Sequence, residues 1–192
     1  MTRQEAWQIL TEFTDKDSLV KHALAVEAAM RHYARHFDQD QGLWGVVGLL
    51  HDLDYQRWPE PPDHTRKGAE ILRRRGVDEE IVSAVLSHAK WNQDQYPLDR
   101  PLRKTLFAVD EICGFLTACA LVRPQRLEGL KPSSVRKKLK QSSFAAAVSR
   151  EDISRGAEIL GIDLDEHIRH CVAALQSVAD ELGLARQADR ED

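Results

Sequence analysis

Six side chains of types that can share a metal ion, His22, His51, Asp52, His64, His88 and Asp110, fall where the surrounding helical pattern calls for apolar residues. Burying an unpaired carboxylate or a charged imidazole costs several kcal/mol. One such residue can be a satisfied polar group in a core, but a set drawn from separate helices calls for a common partner. A divalent metal centre is the simplest one. Four imidazoles and two carboxylates without a thiolate suit one or two borderline ions (manganese, iron, cobalt, nickel or zinc) better than copper(I) or calcium. His51 and Asp52 are adjacent and project about 100° apart on a helix of about 3.6 residues per turn, so a cation at that corner can take both.

The elements that must position these groups read as helices. Apolar spacing is helical nearly everywhere, and no run shows strand-like alternation bounded by turn residues. The fold class expected is all-α. Helices are predicted over about 4–13, from a cap at Asp17 or Ser18 to 37, and over 41–53, the last apolar nearly all round and ending in His51-Asp52. A proline-rich loop follows, then a helix over 64–75 capped by Asp63 and closed by Gly76, and one started by Asp78, Glu79 and Glu80 that ends near 90. Further helices are expected at 101–122, 133–140, within 144–160, and from Leu164, where Asp163 and Glu166 form a capping box.

Composition narrows the class. With 192 residues, 42% of them hydrophobic, and a formal charge of −4, the chain reads as one domain over 1–185 with a frayed tail at 186–192. Cys113, Cys119 and Cys171 form no CxxC pair, and their odd number argues against a disulfide framework, which points to the cytoplasm. No apolar run approaches a membrane span. The acidic balance excludes a general DNA binder. It leaves a local basic patch, Lys131, Arg136, Lys137, Lys138 and Lys140, whose plainer reading is a solvated face and whose functional one is a clamp on phosphate or nucleic acid. His32 and His36 read as surface residues, and His167 and His170 as structural. Trp58 and Trp91 could stack a base, although packing is the simpler role.

On these residues the chain resembles the HD-domain (HDIG-related) metal-dependent phosphohydrolases. His22, His51-Asp52 and Asp110 match the H…HD…D pattern, and LAVEAAMRHYA and LLHDLDY stand where that family places its helices. His64 and His88 match the six-ligand version associated with binuclear centres. HTRKGAEIL, ALVRP and SSVRKKLK followed by SSFAAAVSRE resemble a small stand-alone bacterial subfamily. The resemblance implies a compact HD-domain helical bundle with its core at about 18–125 and a C-terminal helical extension at 126–185. It implies that His22, His51, Asp52 and Asp110 hold one metal and that Asp52 bridges to a second held by His64 and His88. Such a positively charged centre asks for an anion. The implied activity is hydrolysis of a phosphate ester of a nucleotide or related small metabolite by metal-activated hydroxide, without a covalent intermediate.

One departure from the family matters. Many relatives follow the HD pair with glycine and lysine, whereas Leu53, Asp54 and Tyr55 follow here, which favours a monoesterase over a diesterase. Substrate charge must then be met by Lys67, Lys90, Arg57, Arg123 or the basic helix, and Tyr55 could reach the substrate. Asp52 and Asp54 are the expected catalytic carboxylates, Asp54 either orienting a ligand imidazole or acting as general acid. A di-iron oxygenase of the same fold and a non-catalytic binding or regulatory module are the alternatives. The oligomeric state, a homodimer included, stays open.

Overall fold

Local capping sets where the helices begin. In the computed structural model, which describes residues 1–186, Thr2 and Glu5 form a reciprocal box ahead of α1 (Arg3–Phe13). Asp40 accepts from the backbone N–H groups of Gly42 and Leu43 to start α3 (Gln41–Leu50), which follows α2 (Asp17–His36). Asp78 caps α5 (Glu79–His88), which follows α4 (Asp63–Arg74). The long α6 (Pro101–Leu121) has proline in its first turn. A C-terminal group follows: α7 (Pro132–Leu139), α8 (Arg150–Leu160), α9 (Leu164–Gln176) and α10 (Ala179–Leu182). Among the described residues there is no strand, and no helix is long and apolar enough to cross a membrane. The tail predicted to fray lies, Arg186 apart, outside the described residues.

Three local expectations need correction. α3 stops at Leu50, and residues 51–57 continue as a series of turns, so the HD pair sits just past the helix end. Asp63 does not cap α4. Instead the backbone breaks at His64 (φ −55°, ψ 138°) and at Thr65, whose φ of 66° is strained for a β-branched residue. Thr65 is fully buried, and its Oγ1 accepts from Asn92 Nδ2 at 2.7 Å. Asp163 caps α9 through Asp165 and Glu166 N–H groups, but no return bond from the Glu166 side chain is formed.

α2 and α3 lie against each other in the core, and α6 runs through it with Leu106, Val109, Ile112, Cys113, Phe115 and Leu116 buried. The approach of α2 to α3 depends on Gly48, where a Cβ would stand 2.9 Å from the Val26 carbonyl oxygen and 2.9 Å from Glu27 Cα. Both are backbone atoms and cannot swing aside. Gly48→Ala is therefore expected to cost about 1–3 kcal/mol by overpacking, read as a lowered urea midpoint.

Candidate metal centre

Six side chains from five helices and one turn converge. α2 contributes His22, the end of α3 His51, the following turn Asp52, the break at the start of α4 His64, the last residue of α5 His88, and the middle of α6 Asp110. The Asp52 carboxylate divides them. Its Oδ2 lies 3.5 Å from His51 Nε2 and 3.9 Å from His22 Nε2, and its Oδ1 lies 3.4 Å from both His64 Nε2 and His88 Nε2. Asp110 Oδ1 closes the first half, 3.0 Å from His22 Nε2 and 3.5 Å from His51 Nε2. Donor atoms of His22, His51 and Asp52 fall within 4.8 Å of one another, as do those of Asp52, His64 and His88.

The opposite edges of three rings are committed elsewhere. His51 Nδ1 lies 2.8 Å from the Gly48 carbonyl and His88 Nδ1 2.7 Å from the Val85 carbonyl. A carbonyl only accepts, so each Nδ1 carries a proton, which leaves Nε2, turned toward Asp52, as the nitrogen that can ligate once it is deprotonated. Both carbonyls belong to the last turn of a helix, where no intrahelical partner exists, so the helix end itself orients the ligand ring. His64 Nδ1 is held 2.9 Å from Asp54 Oδ1, while Asp54 Oδ2 accepts from the Gly68 N–H at 2.6 Å. His51 Nε2 is buried and has no hydrogen-bond partner. Three Nε2 atoms preset toward two carboxylates, one of them buried without a hydrogen-bond partner, fit a borderline divalent cation.

Electrostatics agree with that fit. Burial disfavours the His51 imidazolium, but the Asp52 and Asp110 carboxylates outweigh it and push its pKa up to about 9. Burial would raise Asp110, yet the hydrogen bond from His22 and the charge of the nearby His51 hold it well below the usual carboxylate range. Asp52 is lowered in the same way by His51 and His88. In the protein without metal, the proton on His51 offsets part of the carboxylate charge.

Asp54 differs from one of its two expected roles. It is fully buried behind His64 with both oxygens engaged, which leaves it the orienting task and no path to a substrate oxygen. It meets the Gly68 N–H near the N-terminal end of α4, where negative charge is favourable. Gly68 permits this contact: a Cβ there would stand 3.1 Å from Asp54 Oδ2.

The cluster opens into a cavity of about 620 Å³ lined by His22, Asp52, His64, His88 and Asp110, with Tyr55, Lys90, Trp91, Phe107 and Glu111 around them. Of the expected substrate residues, Tyr55 and Lys90 reach it, and Lys90 Nζ is paired with Asp152 at 2.6 Å. The others do not line it. Arg57 stacks over Phe13 and donates to the Glu12 carbonyl, Lys67 pairs with Glu70, and Arg123 donates to the Glu128 carbonyl. α7 contributes nothing to the cavity; Arg136 pairs with Asp165, and Lys138 lies over Phe144. Trp91 is at the rim, whereas Trp58 is not. Sequence reasoning missed Glu111 and Asp152, both cavity-lining carboxylates. Burial, then the neighbouring Asp110, pushes Glu111 up to about 7. Nothing in their spacing sets them apart from other acidic residues on helices.

Residues 19–112 match the family model of the HD domain. Among curated relatives, the tRNA (cytidine(56)-2'-O)-methyltransferase of Thermoplasma volcanium is 31% identical over 85 residues. The match covers 44% of this chain and 25% of the relative, so the chain spans about a quarter of that protein's length. No solved structure matches the chain.

Two outcomes follow from the geometry. Asp54→Ala should weaken metal binding by about 10–100-fold in isothermal titration, because His64 loses its orienting partner. Since His51 is protonated below about 9 without metal and only neutral imidazole ligates, metal loading at pH 7 should release protons. Affinity should then climb as pH rises toward that value. Titrations in buffers of different ionisation enthalpy measure both effects.

Proposed function

We propose, from the premise that residues 19–112 of this chain belong to the HD domain family, that the protein is a metal-dependent phosphohydrolase acting on a small phosphate ester. HD domains form a superfamily of metal-dependent hydrolases. The observation that carries it is the division of Asp52 between two groups of imidazoles, one including Asp110, at the floor of an open cavity. His22, His51, Asp52 and Asp110 would hold one dication, and Asp52, His64 and His88 a second. Such a centre supplies polarisation of a phosphoryl oxygen and acidification of water at neutral pH.

The chain's own residues do the rest. Gly48 and Val85 carbonyls and the Asp54 carboxylate keep three imidazoles turned inward, so the ligand geometry exists before any ion or substrate arrives. Asp152 holds Lys90 at the cavity wall, where its ammonium can meet a phosphate oxygen at the cost of loosening that pair. Glu111 can hold a proton inside the cavity. Tyr55 and Trp91 flank His64, with ring centroids 5.0 and 5.9 Å from it, and remain about half exposed, at 40% and 46%. Exposed aromatic faces beside a phosphate-binding centre favour a substrate with a planar ring, a nucleotide or related metabolite. No lysine follows the HD pair, and Lys90 is the lysine that lines the cavity, which supports a monoester over a diester.

The test is a panel of phosphate monoesters and diesters with chelated and metal-restored protein. Hydrolysis is expected to vanish on chelation, return with manganese, iron, cobalt, nickel or zinc, and fall at least about 100-fold in Asp52→Ala. Trp91→Ala should raise KM for nucleotides about tenfold while leaving a non-aromatic phosphate ester unchanged. Full hydrolysis by the chelated protein or by Asp52→Ala would refute the assignment.

A further inference from the structure

The four histidines outside the metal centre also converge. α2 carries His32 and His36, α9 carries His167 and His170, and the two helices meet along a seam that sequence spacing could not reveal. His167 has a complete set of partners. Its Nε2 donates to the Ala108 carbonyl of α6 at 2.9 Å, and its Nδ1 accepts from the Tyr33 hydroxyl at 2.6 Å. The structural reading made of it from sequence fits.

The other three are different. His32 Nε2 lies 2.9 Å from His170 Nδ1, and the rings of His36 and His170 stand 4.8 Å apart between centroids. Among the described residues, neither His32 nor His170 makes any other hydrogen bond, and His36 makes only ring contacts. Outside them, Glu166 Oε1 is 3.8 Å from His170 Nε2. Their neighbours thus supply no carbonyl to fix a tautomer, as Gly48 and Val85 do in the central cluster.

We infer that His32, His36 and His170 form a second transition-metal site, open to solvent, for a borderline dication such as zinc. His32 and His36 are four residues apart and so share a helix face. Zinc–nitrogen bonds of about 2.0–2.1 Å in a tetrahedral site place ligand nitrogens roughly 3.3 Å apart, a few tenths beyond the present His32–His170 separation. His36 is exposed and completes the set by turning its ring toward the pair, a rotation that exposed side chains make in nanoseconds. Glu166 then takes the place outside His170 that Asp54 holds behind His64. At about 1.5 Å per residue, His32 lies roughly 15 Å along α2 from His22, so this is a separate site. An ion there ties α2, which bears His22, to α9, whose His167 is bonded to the helix that bears Asp110.

Full-length protein, stripped with chelator and dialysed to equilibrium against zinc, is assayed for bound zinc per chain. His36→Ala and His170→Gln are each expected to hold one zinc fewer than the wild type. Their phosphate-ester hydrolysis should stay within twofold. His36 is exposed, so its replacement should leave the thermal transition of the metal-free protein in place, which separates a lost ligand from a lost fold. Asp52→Ala should lose zinc at the central cluster and keep the seam zinc, so failure at one site is distinguishable from failure at the other. Equal zinc content in the wild type, His36→Ala and His170→Gln would overturn the second site.

Discussion

A single carboxylate shared between two sets of imidazoles organises this molecule. Asp52 lies just past a helix end and turns one oxygen toward His22 and His51 and the other toward His64 and His88. Those four rings arrive from α2, α3, α4 and α5, so the carboxylate is where four helices must agree in position. Without metal, the arrangement is held by attraction between carboxylates and partly protonated imidazoles. The same attraction pushes His51 up and holds Asp110 down. A cation that replaces those protons inherits a geometry already built.

That geometry rests on how the protein handles backbone groups that helices leave unsatisfied. The terminal carbonyls of α3 and α5 have no intrahelical partners, and each accepts from the Nδ1 of the histidine at its own helix end. The first N–H groups of α4 are equally orphaned, and Asp54 takes that of Gly68 while holding His64 with its other oxygen. Helix ends thus act as orienting groups for the ligands. The strained backbone at Thr65 fits the same scheme, because the break there lets His64 leave the helical path and point inward before α4 becomes regular.

The C-terminal helices do more than cover the bundle. α8 contributes Asp152 to the cavity, where it restrains Lys90, and α9 is bonded through His167 to the carbonyl of Ala108, one half-turn before Asp110. α2 is therefore flanked by two histidine groups of opposite character. One is organised by buried carboxylates and helix-end carbonyls, the other lies at a solvent-accessible seam between α2 and α9.

Much of this was legible in the sequence. The apolar spacing determined an all-α chain and the approximate bounds of most helices, and histidine or aspartate at core positions marked six residues that the fold does bring together. These follow from the chain itself, because burying an ionisable side chain in a helix face needs a partner wherever that partner comes from. What only the tertiary structure decided is which groups meet across elements. It turned Asp54 from a candidate acid into the orienting partner of His64. It also took Arg57, Lys67 and Arg123 away from the cavity to partners nearby, and added Glu111 and Asp152. Long cationic side chains are placed by whichever carbonyl or carboxylate lies within reach, and the face of α9 is placed by packing against α2. Neither is written in the spacing of a single helix, which is why the His32, His36 and His170 seam emerged only when the helices were seen together.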